Sequence, residues 1–519
     1  MVWREKRLGV VFLTLAAAAC GLILASGALA ASGSGPKLPS KDPFYTYKGS
    51  LAHIAPGTVL KKRKVTIVDA TTGKPVSTLS AHQVLYRTTD ELGKPTITVA
   101  TVIQRIVAPE NKIVSYQTAY DALGSECDPS YTLRGGNPSY STAADEEKFI
   151  EQYANAGYTV VVSDYESVHL DWGAGQESGY GTLDGIRAAE HFLKLPAKTP
   201  VGMVGYSGGS IATEFASELA PKYAPHLHIV GTAEGGVPVY FAHNLAYING
   251  SPDWSGVIPA VLVGTSRAFD IDGAKYESAY GRKIAHQVSS ECINNFLGSY
   301  PGLTIEKLVK KPYQDFFTVP TFARINNRLI MSRTGTPKGP LFMGVGNADG
   351  TGDDVMVAND VEALAHTYCK RHVSVQFDEY KGSEYDHTDA AVPFEADALT
   401  FLTEALNGQK PSSGCSSIKR GNSLAPLPVG PTNVVFRSLK ASKTAAIIEL
   451  RTLKGRMGGL VLQLRSLEKR VDQVKIKHLS THWLRVPLKV SGTVPAKGYY
   501  TITVTRGSKI VLYRMLQLP

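Results

Sequence analysis

One stretch constrains the fold of this chain more than any other. Residues 199–219 read TPVGMVGYSGGSIATEFASEL. The apolar run around Met203 predicts a buried strand, and Ile211, Phe215 and Leu219 recur at the spacing of one helix face. The residues between them contain the pattern G-x-S-x-G, which occurs once in the chain. Strand, tight turn and helix in this order are typical of a serine raised to the top of a sheet.

The motif predicts that Ser207 is a nucleophile. Glycines on both sides of it permit the strained turn that exposes the hydroxyl. The backbone N–H of Gly208 would begin the following helix and point to where a tetrahedral oxyanion forms. The competing interpretation is a chance match in a chain with 49 glycines. The position between a strand and a helix argues against it.

The elements around the motif predict an α/β fold. Four strands are expected before residue 117, and they look like the antiparallel edge of a larger sheet. After a helix over 142–156, strands and helices alternate, which predicts a mostly parallel sheet with helices on both faces. Residues 165–181 are predicted as a loop before a helix over 182–193. Residues 244–331 break the alternation, look largely helical, and predict a cap above the carboxyl ends of the strands.

A serine nucleophile needs a base and a group that orients the base. In α/β-hydrolases the chain order is serine, acid, histidine, with the last two in loops after late strands. His387 follows the last predicted core strand, 373–377, and Asp349 follows the strand over 339–345. Asp353, in the same glycine-rich loop as Asp349, is the alternative acid. That loop lacks the ligand spacing of an EF-hand, so we expect no metal site.

The C-terminal part has a different composition. Residues 409–430 are rich in Ser, Gly and Pro and predict a linker. Short apolar segments separated by turn signals follow, and they predict an all-β module of sandwich type over 431–519. This module holds 17 Lys and Arg against 3 Asp and Glu, whereas the rest of the chain holds 38 against 42. The module could bind an anionic polymer or membrane surface, or its charge could be a solvated face.

The N-terminus predicts export. Basic residues precede an apolar run over 8–30, and Ala28-Leu29-Ala30 forms a small-x-small cleavage site. We therefore expect a signal peptide over 1–30 and a secreted protein, with an uncleaved membrane anchor as the alternative. Residues 31–41 predict a flexible lead-in to a hydrolase domain over 42–408.

The cysteines predict two disulfides. Without Cys20, which lies in the apolar N-terminal run, four remain: Cys127, Cys292, Cys369 and Cys415. An even number in an exported chain suggests a disulfide framework with three possible pairings. Proximity along the sequence favours Cys369 with Cys415, which leaves Cys127 with Cys292.

Several short motifs together resemble the secretory lipase family. They are Asp42-Pro43-Phe44-Tyr45, Ser115-Tyr116-Gln117 with Asp121, Cys127-Asp128-Pro129-Ser130, Gly205-Tyr206-Ser207-Gly208-Gly209, Pro340 to Asp349, and His387. The resemblance spans about residues 42–408 and implies an α/β-hydrolase with a helical cap that acts on acylglycerols. It implies a triad of Ser207, Asp349 and His387. The sequence departs from the family pattern at 350–352, which looks inserted before Asp353, and the basic module lies outside that pattern.

The resemblance also implies that Asp121 lies at the oxyanion hole with the Gly208 amide. Asp121 can act there only through its backbone N–H or as a protonated acid, because an ionised carboxylate would repel the oxyanion. The alternative is an aspartate that caps a turn.

These features predict a secreted serine ester hydrolase, and above all a triacylglycerol lipase whose cap supplies the acyl channel. We expect no cofactor and no nucleic acid partner. One alternative is a carboxylesterase or acyltransferase that uses the same triad on other acyl esters. The other is a surface-binding protein with an inactive hydrolase domain.

Overall fold

The computed structural model describes residues 35–137, 142–430, 432–441, 445–466, 469–489 and 498–518. The predicted signal peptide and residues 31–34 of the lead-in lie outside these ranges. Within them, every helix is too short or too polar to span a membrane.

A nine-stranded sheet forms the centre of the chain. Its strands are β1 (Val59–Val65), β2 (Leu79–Thr89), β3 (Pro95–Arg105), β4 (Ile113–Gln117), β5 (Thr159–Ser163), β6 (Pro200–Tyr206), β7 (His228–Gly235), β8 (Leu341–Asn347) and β9 (Val375–Lys381). They lie in the order β1-β2-β3-β5-β4-β6-β7-β8-β9. The pairs β1–β2, β2–β3 and β3–β5 are antiparallel, and all other neighbours in this sheet are parallel.

The expectation of four antiparallel edge strands is wrong for one of them. β4 lies inside the parallel part, hydrogen-bonded to β5 on one side and β6 on the other. All five of its residues are buried. A strand that is covered on both faces is suited to the centre of a parallel sheet, and its length and apolar content alone do not reveal that position.

Helices cover both faces of the sheet and form the cap. They are α1 (Pro129–Thr132), α2 (Thr142–Asp145), α3 (Glu147–Asn155), α4 (Gly175–Leu193), α5 (Gly208–Tyr223), α6 (Phe241–Ile248), α7 (Val257–Ala268), α8 (Ala279–Val288), α9 (Ile293–Phe296), α10 (Ile305–Leu308), α11 (Pro320–Arg328), α12 (Ala358–Lys370) and α13 (Ala391–Leu406). Apolar side chains of α4 and α5 pack on one face of the sheet. Those of α3 and α13 pack on the other. Helices α6 to α11 lie between β7 and β8 in the chain, as the predicted cap does.

Helix α4 begins seven residues before the predicted helix, inside the segment expected to be a loop. That segment is rich in glycine, which favours a loop prediction. The glycines instead allow close helix packing: a Cβ at Gly175 would overlap the ring of Phe215, and one at Gly179 would lie 2.7 Å from the Phe215 backbone. The contact between α4 and α5 therefore overrides the low helix propensity of glycine.

The described residues of the C-terminal module form seven strands: β10 (Val434–Ala441), β11 (Ala445–Thr452), β12 (Met457–Ser466), β13 (Lys469–Leu479), β14 (Leu484–Lys489), β15 (Gly498–Arg506) and β16 (Lys509–Leu518). A three-stranded sheet, β10-β11-β14, faces a four-stranded sheet, β13-β12-β15-β16. Alternate residues of both sheets, among them Ile448, Leu462 and Ile502, form the apolar interior. This is the sandwich that the alternating sequence pattern predicts.

Residues 409–430 connect the two parts and form neither helix nor strand. They nevertheless lie against α11 and α12 of the preceding part. The backbone N–H of Leu427 donates to Asn327 Oδ1 at 2.6 Å, and Asn422 Nδ2 donates to Asp360 Oδ1 at 2.8 Å. Cys415 is bonded to Cys369, and Cys127 to Cys292. Both predicted disulfides are confirmed.

Candidate active site

Ser207 occupies the tight turn between β6 and α5. Its φ of 53° and ψ of −123° are strained for a residue with a side chain. The backbone N–H of Ser207 donates to the Gly235 carbonyl at 2.9 Å, which fixes the turn against β7. A Cβ at Gly205 would lie 2.5 Å from the Gly209 carbonyl, and one at Gly209 would overlap the Gln117 carbonyl. Both glycines are therefore required by close backbone approach, as the motif predicts.

His387 lies between Ser207 and a buried carboxyl group. Its Nε2 is 2.6 Å from Ser207 Oγ, and its Nδ1 is 2.8 Å from Asp353 Oδ2. The three side chains follow β6, β8 and β9, so they meet at the carboxyl edge of the parallel strands. Burial acts to lower the pKa of His387, but the Asp353 carboxylate, helped by Asp121 and Asp386, raises this pKa above its ordinary value.

The acid that contacts His387 is Asp353, not Asp349. The preference for Asp349 is therefore corrected, and the alternative in the same loop takes its place. Asp353 is fully buried, whereas Asp349 is exposed. Asp349 Oδ1 accepts the backbone N–H groups of Thr351, at 2.6 Å, and Gly352, at 3.1 Å, and its Oδ2 accepts Tyr247 OH at 3.1 Å.

The loop after β8 folds back on itself, which explains the correction. An antiparallel bridge joins Gly352 to Val357 and directs Asp353 inward. Asp353 Oδ1 accepts the backbone N–H groups of Val355, at 3.1 Å, and Met356, at 2.6 Å. These two donors occupy one carboxylate oxygen, so the other is left for His387. Asp349, the aspartate nearest the end of β8, instead accepts hydrogen bonds from the loop backbone and stabilises the turn.

Two aromatic residues hold His387 in place. Tyr206 OH donates to the backbone carbonyl of His387 at 2.7 Å, and the Trp254 ring meets the imidazole edge-on with 5.2 Å between ring centroids. Neither residue was expected to have a role from the sequence. Tyr206 lies inside the G-x-S-x-G motif, and this position is the one signal that could have drawn attention to it. Trp254 comes from the cap, and its sequence gives no signal of this contact.

Asp121 lies against the start of α5, as the resemblance implies. Its carboxyl oxygen occupies the space that a Cβ at Gly208 would need. Asp121 has an unusual backbone, with φ of 39°, and it is buried. Burial raises the pKa of Asp121 to about 7, against the opposing effects of His387 and Trp172. Within the described part of the chain, its Oδ1 accepts no hydrogen bond.

An apolar cavity begins at Ser207 and Asp121 and extends into the cap. Its walls are almost entirely apolar, as in most small-molecule sites. Phe241, Leu245 and Trp254 are among its walls. A second apolar cavity continues from Phe241 and Leu245 to Phe316 and Phe322, which also line a third. Because neighbouring cavities share wall residues, they form a series from the serine into the cap, which we call the apolar path.

Comparisons with known proteins show what this chain is similar to. The family model described as secretory lipase matches residues 138–414. Lipase A of Arthroderma benhamiae is 30% identical over 403 residues, which cover 74% of this chain and 82% of that protein. A probable inactive lipase of Mycobacterium tuberculosis is 32% identical over 357 residues, 66% of this chain and 77% of that protein. The closed state of Candida antarctica lipase A superposes with a TM-score of 0.68 at 29% identity, over 77% of this chain and 91% of that one.

Proposed function

Because the chain belongs to the secretory lipase family, we propose that it is a secreted triacylglycerol lipase that uses Ser207, His387 and Asp353. One observation carries the proposal: hydrogen bonds connect Ser207 Oγ through His387 to Asp353, and Ser207 also lies in the wall of an apolar cavity. The hydrogen bonds supply an activated hydroxyl, and the cavity supplies room for a fatty acyl chain.

In the acylation step His387 acts as the general base. Its Nε2 takes the Ser207 proton while Oγ attacks the ester carbonyl carbon, and the carbonyl oxygen becomes an oxyanion. Asp353 accepts Nδ1–H of His387, which keeps Nε2 unprotonated before attack and stabilises the imidazolium afterwards. The imidazolium then returns its proton to the alcohol oxygen of the glycerol, and that alcohol leaves.

The oxyanion is stabilised at the start of α5. Gly208 is the first residue of this helix, so its backbone N–H has no acceptor within the helix and is available to the oxyanion. Asp121 would contribute its backbone N–H. A carboxyl group with a pKa near 7 could in addition act in its protonated form. Water then attacks the acyl-enzyme with His387 again as base, releases the fatty acid and restores Ser207.

The apolar path through the cap supports a long acyl chain as substrate. Its walls are aliphatic and aromatic, with few groups that a polar acyl substituent could bond. We infer that the ester lies at Ser207 and that its chain passes Phe241 and Leu245 towards Phe316. Interactions along this path would favour long chains over acetyl esters, because each buried methylene contributes about 0.8 kcal/mol.

Two alternatives share the same fold. A carboxylesterase would prefer short, soluble esters. A surface-binding protein would hydrolyse no ester. The similarity to a probable inactive lipase is the reason to test this alternative. The complete hydrogen-bonded set at Ser207 favours an enzyme over the inactive alternative.

The test is hydrolysis of a glyceride series from acetyl to long acyl chains by wild type and Ser207→Ala. A lipase hydrolyses long emulsified chains best, and Ser207→Ala loses that activity. Preference for short soluble esters would replace the lipase by an esterase. Wild type that is inactive on every ester would leave the binding protein.

A further inference from the structure

Three turns of the C-terminal module meet at one end of the sandwich, which we call the basic end: residues 453–456, 480–484 and 506–509. The backbone N–H of Thr452 donates to the Ser480 carbonyl at 2.8 Å, which joins the first two turns. The third turn lies beside them, because Arg506 pairs with Leu460 near the start of β12 and β12 follows the first turn directly.

The basic end carries cations and no acidic residue. Its three turns read LKGR, STHWL and RGSK. Lys454, Arg456, Arg506 and Lys509 are all exposed. Of the three acidic residues in the module, Glu449 lies within β11 and is held by Arg437 and Arg485. Asp472 lies near the start of β13, at the opposite end of the sandwich. The three turns of the basic end are therefore cationic and include no acidic side chain, whereas the opposite end carries both cations and Asp472.

Apolar side chains are exposed at the same end. Leu453 is 48% exposed and directly follows β11, and Leu484 is 37% exposed and is the first residue of β14. Trp483, next to Leu484 in the sequence, is half-buried under Arg437 and Arg451, whose guanidinium groups lie 4.4 and 4.9 Å from its ring centroid. Aliphatic side chains and an amphipathic indole surrounded by cations are the composition of surfaces that enter a lipid interface.

The four-stranded sheet of the module packs against the cap. Tyr513 meets Phe317 of the cap edge-on, and Arg514 forms an ion pair with Asp315 at 2.6 Å. Strand β15 lies against α6, the helix whose side chains line the cavity at Ser207. The module is thus docked beside the cap through its four-stranded sheet, while the basic end remains exposed.

We propose that the basic end binds an anionic lipid–water interface and thereby brings the cap to aggregated substrate. Cations provide attraction of about 1 kcal/mol each near an anionic surface, and the leucines provide insertion. An anionic polysaccharide would satisfy the charges but would leave Leu453 and Leu484 in water, so the lipid surface is the better match. The inference builds on the proposed function, because the released fatty acid itself makes a lipid interface anionic.

The test is vesicle flotation of the full chain carrying Ser207→Ala, so that no lipid is consumed. The vesicles are phosphatidylcholine, with or without about a third of phosphatidylglycerol. The charge variant is Lys454→Glu with Arg456→Glu. Its matched control, Arg470→Glu with Lys489→Glu, makes the same change in net charge at exposed positions of the opposite end. The apolar variant is Leu453→Ser with Leu484→Asn.

The proposal predicts binding that requires phosphatidylglycerol and weakens with salt. The charge variant loses about thirtyfold or more in partitioning, since two attractive cations are removed. The control variant loses much less, and the apolar variant also binds more weakly. Equal losses in the charge variant and its control would overturn the proposal, as would an apolar variant with unchanged binding.

Two further measurements separate this proposal from the proposed function. For this measurement the charge and apolar variants keep the native Ser207. Their hydrolysis of a soluble monomeric ester should equal that of wild type, because no altered residue lies at the cavity. Retention on alginate beads that matches vesicle binding in strength, and is unaffected by the apolar variant, would identify a polyanion site and overturn the lipid assignment.

Discussion

Replacing Asp353 by Asn tests the assignment of the acid most sharply, because the structure determines which way the new amide must face. One carboxylate oxygen of Asp353 accepts two backbone N–H groups, from Val355 and Met356. In Asp353→Asn the amide oxygen must stay with these donors, so the NH₂ group turns to His387. His387 Nδ1 then becomes the acceptor, and Nε2 carries the proton and cannot take one from Ser207.

The wrong tautomer should lower kcat by about 10⁴-fold, which corresponds to about 5 kcal/mol in activation free energy. The matched control is Asp349→Asn. Asp349 is exposed and does not touch His387, so the change in kcat should stay within about twofold. The assay is steady-state hydrolysis of p-nitrophenyl butyrate, with circular dichroism to verify that both variants are folded.

The pH profile gives a second readout. Asp353 is the main group that raises the pKa of His387, and burial opposes it. Without the carboxylate the pKa of His387 falls, so the acidic limb of kcat/KM should move to lower pH in Asp353→Asn. If Asp349→Asn loses far more activity than Asp353→Asn, or if both lose equally, the assignment of Asp353 is refuted.

Three other substitutions test separate parts of the account. Gly208→Ala places a methyl group in the space of the Asp121 carboxyl, so kcat on a soluble ester should fall about 10²-fold through loss of oxyanion stabilisation. Leu245→Trp should narrow the path from the serine and reduce the long-chain to short-chain ratio of kcat/KM about tenfold. Burial raises the pKa of Glu234 to about 8, near the buried Glu214. The free energy of unfolding should therefore decrease as pH rises from about 5 to about 8, by about 1.4 kcal/mol for each unit over which only the unfolded chain is ionised, and Glu234→Gln should flatten this slope.

Each of these has an outcome that contradicts it. Full activity of Gly208→Ala would show that the start of α5 does not stabilise the oxyanion. An equal effect of Leu245→Trp on acetyl and long-chain esters would place the acyl chain elsewhere. For Glu234→Gln the control is the exposed Glu384→Gln, and urea titrations at several pH values with the same slope in both variants would show that the buried carboxyl does not couple to folding.

The positions of Ser207 and His387 follow from local sequence, because each depends on one short element. A glycine-flanked serine between a strand and a helix can adopt few conformations, and the loop after the last strand must lie at the same sheet edge. The acid is different. Asp349 and Asp353 lie four residues apart in one loop. Which of them contacts His387 depends on a bridge between Gly352 and Val357 that closes the loop.

Other features depend on tertiary packing and could not be predicted. The central place of β4 results from its pairing with β5 and β6, which follow it in the chain. Helix α4 extends into a glycine-rich segment because the glycines allow it to pack closely against Phe215 of α5. The contact of Trp254 with His387 joins the cap to the sheet edge across a long separation in sequence.

The central claim is that Ser207 attacks an acyl ester and becomes covalently modified. It is tested most directly by incubating the protein with a long-chain alkylphosphonate p-nitrophenyl ester and mapping the adduct by peptide mass spectrometry. The account predicts stoichiometric release of p-nitrophenol and a phosphonyl group on the peptide that contains Ser207, with no labelling of Ser207→Ala and very slow labelling of Asp353→Asn. A folded wild-type protein that stays unlabelled, or a label on another residue, would contradict it.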